Sequence, residues 1–103
     1  MPVPDVTDDQ RRRALERAAE ARRRRAEIKS LLSTGSLTLR EVLERAEEDE
    51  ILAGTKIGAI VGSLPGMGKV KTKRLLAELG IAENRRLRGL GSRQREALLD
   101  HLD

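Results

Sequence analysis

The chain has 103 residues, enough for one small domain and an appendage. It has no cysteine, which excludes disulfides and thiolate metal sites, and no Phe, Trp or Tyr, which leaves no rings on which single-stranded bases could stack. The net charge of +4 is unevenly spread: residues 1–53 carry 11 basic and 12 acidic side chains and residues 54–103 carry 10 and 5, so the second half is either a solvated basic surface or the footprint of an anionic partner.

Residues 1–7 are expected to lack regular structure, with Thr7 at the boundary reading as an N-cap. Gln10 stands three residues on, and Asp8 and Asp9 fall in the first turn. The helix predicted from there spans 8–33. Between Asp8 and Arg25 its only large apolar side chain is Leu15, and it carries eight arginines, of which Arg22, Arg23, Arg24 and Arg25 are consecutive. Such a stretch cannot bury a wide stripe. It either stands in solvent or lies across a partner, and Arg22 to Arg25 are candidate auxiliary contacts. Glu20 is spaced to pair with Arg24. Ile28, Leu31 and Leu32 form its docking end.

Thr38 and Glu41 predict a capping box for a second helix with Leu39, Val42, Leu43 and Ala46 inward. The run Glu47-Glu48-Asp49-Glu50 that follows is read as a solvated end rather than a shield. A third helix is predicted at about 56–63, where Ile57, Ile60, Val61 and Leu64 follow i, i+3, i+4, i+7. A fourth, at about 69–79, has Thr72, Leu75, Leu76 and Leu79 at the same spacing, and Gly80 ends it. Residues 82–91 form an irregular turn, and a last helix at about 93–102 turns Leu98, Leu99 and Leu102 inward. No alternating strand pattern occurs. The expected fold is therefore all-α: a long N-terminal helix, then a small domain at 36–103 of about four short helices with a thin core.

The most informative stretch is Leu64-Pro65-Gly66-Met67-Gly68-Lys69, between the third and fourth helices. Two glycines one residue apart allow unusual φ and bring backbone amides to the surface. Those amides stand at a helix N-terminus, where the dipole favours an anion. Lys69, Lys71 and Lys73, with Arg74, occupy the first turns of that helix, the wrong end of the dipole for a cation unless an anion is bound. Gly66, Gly68, Lys69, Lys71 and Lys73 are thus candidate phosphate-binding residues; the plainer reading is a tight turn with solvated lysines. A second basic element, Arg85-Arg86-Leu87-Arg88-Gly89-Leu90-Gly91, presents arginines from a glycine-bounded turn. That arrangement suits a narrow minor groove or an exposed loop, with Leu87 and Leu90 anchoring it. Arg93 adds charge at the start of the last helix.

Enzymatic readings fail on spacing. A P-loop needs glycine five positions before Gly68 and Ser or Thr after Lys69, where Ser63 and Val70 stand. No nucleophile–base pair, carboxylate cluster or metal-ligand spacing occurs. His101 reads as a helix-end cation. The expectation is a non-enzymatic protein with no cofactor, no metal and no small-molecule substrate. No apolar run is long enough to span a membrane. Met1-Pro2-Val3-Pro4-Asp5 lacks the features of a signal peptide, so a cytoplasmic protein without membrane partners is expected.

From about Leu37 to Leu99 the chain resembles the actinobacterial integration host factor family. The resemblance is carried by Ser63-Leu64-Pro65-Gly66-Met67-Gly68-Lys69-Val70-Lys71 with Lys73, by Leu79-Gly80-Ile81-Ala82-Glu83, and by Arg85-Arg86-Leu87-Arg88-Gly89-Leu90-Gly91. It implies a helix–two-turn–helix core behind a long N-terminal helix. It also implies a nucleoid-associated protein, monomeric in solution, that binds double-stranded DNA with little sequence preference. Such a protein bends and compacts the duplex and assists recombination and transcription regulation. Residue by residue, it gives Gly66, Gly68 and Lys69 to backbone phosphates and Arg85, Arg86 and Arg88 to the minor groove. Pro65 becomes an apolar wedge near a base step. Met67, Thr72 and Arg93 depart from the family's usual residues.

Two other resemblances compete. The helical core is similar to that of a ribosomal protein of the small-subunit head, which makes RNA binding the alternative; the acidic run and the lack of a basic C-terminal tail count against it. Formamidopyrimidine-type DNA glycosylases share such a core and an exposed proline, for which Pro2 is the counterpart. Here Val3 replaces their Glu, and 103 residues leave no room for their β-sandwich.

Overall fold

The first helix, α1 (Asp8–Ser33), is closed at its start by the capping box expected of Thr7 and Gln10. The computed structural model describes residues 7–102, so the expectation for residues 1–6 lies outside the described residues, whereas Thr7 is held as an N-cap. Twenty-six residues make a helix about 39 Å long. Only its last third reaches the core, where Ile28 and Leu32 are buried and Leu31 half-buried. The molecule is accordingly elongated, with extents of 55 × 28 × 26 Å.

Five short helices follow: α2 (Leu39–Arg45), α3 (Glu50–Ala53), α4 (Ile57–Gly62), α5 (Lys69–Glu78) and α6 (Ser92–Leu102), with a 3-10 turn at Leu87–Gly89. The all-α expectation holds, with a long leading helix; no strand forms among the described residues. The unexpected element is α3. Its cap is Asp49, whose Oδ1 accepts from the amides of Ile51 and Leu52 at 3.0 and 3.3 Å. A capping residue hidden in an acidic run has no compositional signature, which is why four residues of helix escaped the periodicity reading.

The acidic run is also not simply solvated. Asp49 is half-buried and its Oδ2 receives the Arg24 guanidinium. Glu47 pairs with Arg95 of α6 at 3.0 Å. Glu20, in turn, pairs with Arg23 at 2.6 Å rather than with Arg24. These three pairs correct the sequence reading, because tertiary placement of α1 against α3 recruits Arg24 away from its own helix.

The core is aliphatic throughout: Leu39, Val42, Leu52, Ile57, Ile60, Val61, Leu76 and Leu98 have almost no exposure, and Leu87 and Ile81 are buried with them. α5 ends in a Schellman turn at Gly80, φ 69°. The amide of Ile81 donates to the Leu76 carbonyl at 2.8 Å and that of Gly80 to Ala77 at 3.1 Å, which tucks Ile81 against Leu76 in the core. Thr72 is buried, and its hydroxyl has no hydrogen-bond partner.

Candidate nucleic-acid interface

α4 and α5 pack against each other and are joined by the hairpin. The Met67 amide donates to the Leu64 carbonyl at 3.1 Å, closing a turn with Pro65 and Gly66 at its centre. Gly66 has φ 78°, the conformation that a type II turn with proline at its second position requires of its third residue. Gly68, φ 92°, is the N-cap of α5, and no side chain caps that end. The amides of the first turn are therefore left for solvent or a ligand. Nothing lies within 4 Å of where a Cβ would stand on Gly66 or Gly68. The glycines serve the backbone path and keep the surface open, not the packing. At its base the hairpin is tied to α1, where the Ser33 hydroxyl donates to the Ser63 carbonyl at 3.0 Å.

Gly68, Lys69 and Lys73 line one cleft of about 640 Å³ together with Thr72 of α5, Lys56, Gly58, Ala59 and Gly62 from the α4 side, and Glu83 and Asn84 from the following loop. Lys71 and Gly66 are exposed and do not line it, and Pro65 is exposed at the hairpin tip. Lys56 is the residue that sequence reasoning missed here. A signal was available and resembles the one that marked Lys69, a cation at a helix N-terminus: Lys56 is the N-cap of α4, where Ser, Thr, Asp or Asn is preferred.

The amides that begin α4 are satisfied by the arginine turn. Ile57 donates to Arg85 at 2.8 Å and Gly58 to Glu83 at 3.0 Å, while Leu87 donates back to Thr55 at 3.0 Å. Lys56 and Arg86 thus form an isolated antiparallel bridge. A Cβ on Gly58 would meet the Glu83 carbonyl oxygen at 2.9 Å, so the close approach of loop and helix requires glycine there.

The three arginines of the turn do not share one cleft. Arg85 donates to its own turn at Gly89, 3.0 Å. Arg86 donates to the Gly54 carbonyl and lines a cleft of about 140 Å³ with Arg25, Lys56 and Ala59. Arg88 faces another cleft, beside Arg95, Glu47 and Leu90. The four consecutive arginines of α1 also part company. Arg22 and Arg23 are exposed, Arg24 is paired with Asp49, and Arg25 is half-buried. The hydrogen bond and charge of Arg23 hold the Glu20 carboxyl below its ordinary value. Arg93 is exposed at the start of α6 and lines none of the three clefts.

Among the described residues, no cluster of His, Cys, Asp and Glu could hold a metal ion, and no helix is long and apolar enough to cross a membrane. What the geometry offers is cationic surface with oriented backbone donors. Its fold class has a name: residues 32–102 match the family model described as the S13-like H2TH domain. The chain is 52% identical over 103 residues to the integration host factor of Mycolicibacterium smegmatis, covering 100% of this chain and 98% of that protein. It is 53% identical over 100 residues to that of Mycobacterium tuberculosis, covering 97% and 95%. A solved structure of sIHF bound to an 8-base-pair palindromic DNA matches with a TM-score of 0.83 at 43% identity, covering 85% of this chain and 99% of that one. The chain belongs to the actinobacterial integration host factor family.

Proposed function

We propose that this chain is a nucleoid-associated protein that binds double-stranded DNA with low sequence specificity, and that it bends and compacts the duplex as a monomer in the cytoplasm. One observation carries the reading. The uncapped start of α5, with Gly68, Lys69 and Lys73 in one cleft, is joined through Lys56 and a backbone bridge to the arginine turn. Backbone amides and lysines suit phosphates, which position a duplex without reading it. Gly66, Gly68, Lys69, Lys71 and Lys73 take that role. Arg85, Arg86 and Arg88 suit the minor groove, Pro65 an adjoining base step, and Arg22 to Arg25 with Arg93 supply outer contacts. Family membership supports this, as does the DNA bound to sIHF. A part in recombination and transcription regulation follows from bending. The module carries out no chemistry of its own.

The test is salt dependence together with energy transfer across an end-labelled duplex of random sequence. Neutralising roughly 5–8 phosphates gives a slope of log K against log salt of about −5 to −7, accompanied by end-to-end approach. A slope near zero overturns the proposal. Structured RNA presents the same phosphates to the same hairpin; stable co-sedimentation with ribosomes and no duplex binding at moderate salt would transfer the assignment to RNA.

A further inference from the structure

Arg25 occupies an unusual place. Residues 25, 28 and 32 share one face of α1, and the other two members of that face, Ile28 and Leu32, are buried in the core. A guanidinium on a docking face is costly unless it is paired. Its neighbour Arg24 meets that requirement through Asp49. Arg25 has no such carboxylate, and its Nε, like that of Arg24, is buried with no hydrogen-bond partner. Among the described residues no ion pair involves Arg25, Lys56 or Arg86.

These three cations converge on the cleft of about 140 Å³, and no carboxylate is among its lining residues. Two of the three are fixed by backbone. Lys56 and Arg86 face each other in the antiparallel bridge, and the Arg86 side chain is further held by the Gly54 carbonyl. Like charges gathered without a counter-ion oppose one another, and the arrangement is relieved by an anion. The cleft has room for four to five waters at about 30 Å³ each, enough for a phosphate group. Arginine with its planar fork is the side chain best matched to phosphate oxygens. Lys56 also lines the hairpin cleft, so the two clefts are neighbours on one surface.

We propose that Arg25, Lys56 and Arg86 form a second phosphate-binding cleft for the DNA backbone, continuous with the hairpin cleft through Lys56, and that the C-terminal third of α1 is thereby part of the DNA-contacting surface. The inference rests on the DNA-binding reading and adds to it a site: Lys56 becomes a phosphate contact, and Arg25 acts from within a cleft rather than as an outer contact.

The experiment compares the full chain with Arg25→Gln, Lys56→Gln, the hairpin variant Lys69→Gln and the control Arg45→Gln. Binding to a random duplex is followed across salt, with the fold checked by circular dichroism. Arg25→Gln and Lys56→Gln are each expected to reduce the steepness of the salt slope by about 0.9, one phosphate, and to weaken binding roughly 5- to 10-fold at 0.1 M salt. Arg45→Gln should leave the slope where it was. If both cleft variants keep the parent slope while Lys69→Gln lowers it, the cleft proposal is wrong and the DNA reading stands. A flat slope for the unsubstituted chain overturns both. Should Arg25→Gln unfold, the Nε–Hε resonance of Arg25 in the unsubstituted protein, assigned by its loss in Arg25→Lys, gives the answer. It shifts when duplex is added if the cleft is occupied; if it stays fixed while the Gly66 and Gly68 amides move, the cleft takes no phosphate.

Discussion

Arg24 and Asp49 meet across the gap between α1 and the start of α3, and the aspartate serves both partners at once. Oδ2 receives the guanidinium while Oδ1 caps α3 through the amides of Ile51 and Leu52. Substitution separates the two roles. Asp49→Asn keeps a capping oxygen and removes the charge, so it should lose no more than about 1 kcal/mol, the scale of a partly exposed pair. Asp49→Ala loses the cap as well and should be less stable by a further ~1 kcal/mol. Urea unfolding followed by circular dichroism measures both; equal losses would show that the cap contributes nothing.

Gly58 and the hairpin glycines predict opposite kinds of damage. Gly58→Ala sets a methyl group against the Glu83 carbonyl oxygen. The 83–88 loop must then move off α4, at about 1–3 kcal/mol, and the Lys56–Arg86 bridge is weakened. Gly66→Ala and Gly68→Ala meet open space and strain only the local backbone, by roughly 1–2 kcal/mol at Gly66 and about 1–3 kcal/mol at Gly68, whose φ 92° and ψ 176° lie in a region essentially reserved for glycine. Duplex affinity measured beside stability distinguishes them. The hairpin variants should lose more affinity than their stability loss explains, and Gly58→Ala should weaken both together.

Thr72 offers a gain. Its hydroxyl is buried without a partner, 3.6 Å from the position a Cβ would take on Gly62. Thr72→Val keeps the shape and removes the unsatisfied group, so it should raise stability by about 1 kcal/mol. A thermal or urea midpoint that falls instead would mean that the hydroxyl finds a partner in solution.

Arg85→Ala and Arg86→Ala should weaken binding to every duplex alike, because neither reads a base edge in this proposal. They should differ in stability. Arg86 bonds across the fold to Gly54, whereas Arg85 bonds within its own turn, so only Arg86→Ala should also lower the unfolding midpoint. Selective loss on one sequence would contradict the low-specificity reading.

The helices were legible where apolar residues repeat at helical spacing. Ile57, Ile60 and Val61, and Leu75, Leu76 and Leu79, mark α4 and α5 within a residue or two, and Thr7 and Thr38 mark two starts by their capping boxes. The hairpin glycines were legible because a proline–glycine turn and a helix start have their own local chemistry. Pairings between residues distant in sequence were not. Glu47 finds Arg95, Arg24 finds Asp49 and Arg86 finds Gly54 through packing that no local pattern encodes. Gly58 was unreadable for the same reason: its partner, the Glu83 backbone, is identified only once the loop has folded onto α4.

The bridge that joins Lys56 to Arg86 bears on which molecule yields when protein and duplex meet. The backbone bonds at Thr55, Ile57 and Gly58 make the arginine turn and the first turn of α4 a single stiff body, and α4 continues through a closed turn into α5. A duplex is the softer material, since bending 20–30 base pairs by 40–90° takes of the order of 1–6 kcal/mol. If the duplex engages both ends of this body, as proposed above, the protein would act as a former over which the duplex is shaped. Sites rich in easily kinked TA and CA/TG steps would then be occupied first, by their pliancy alone.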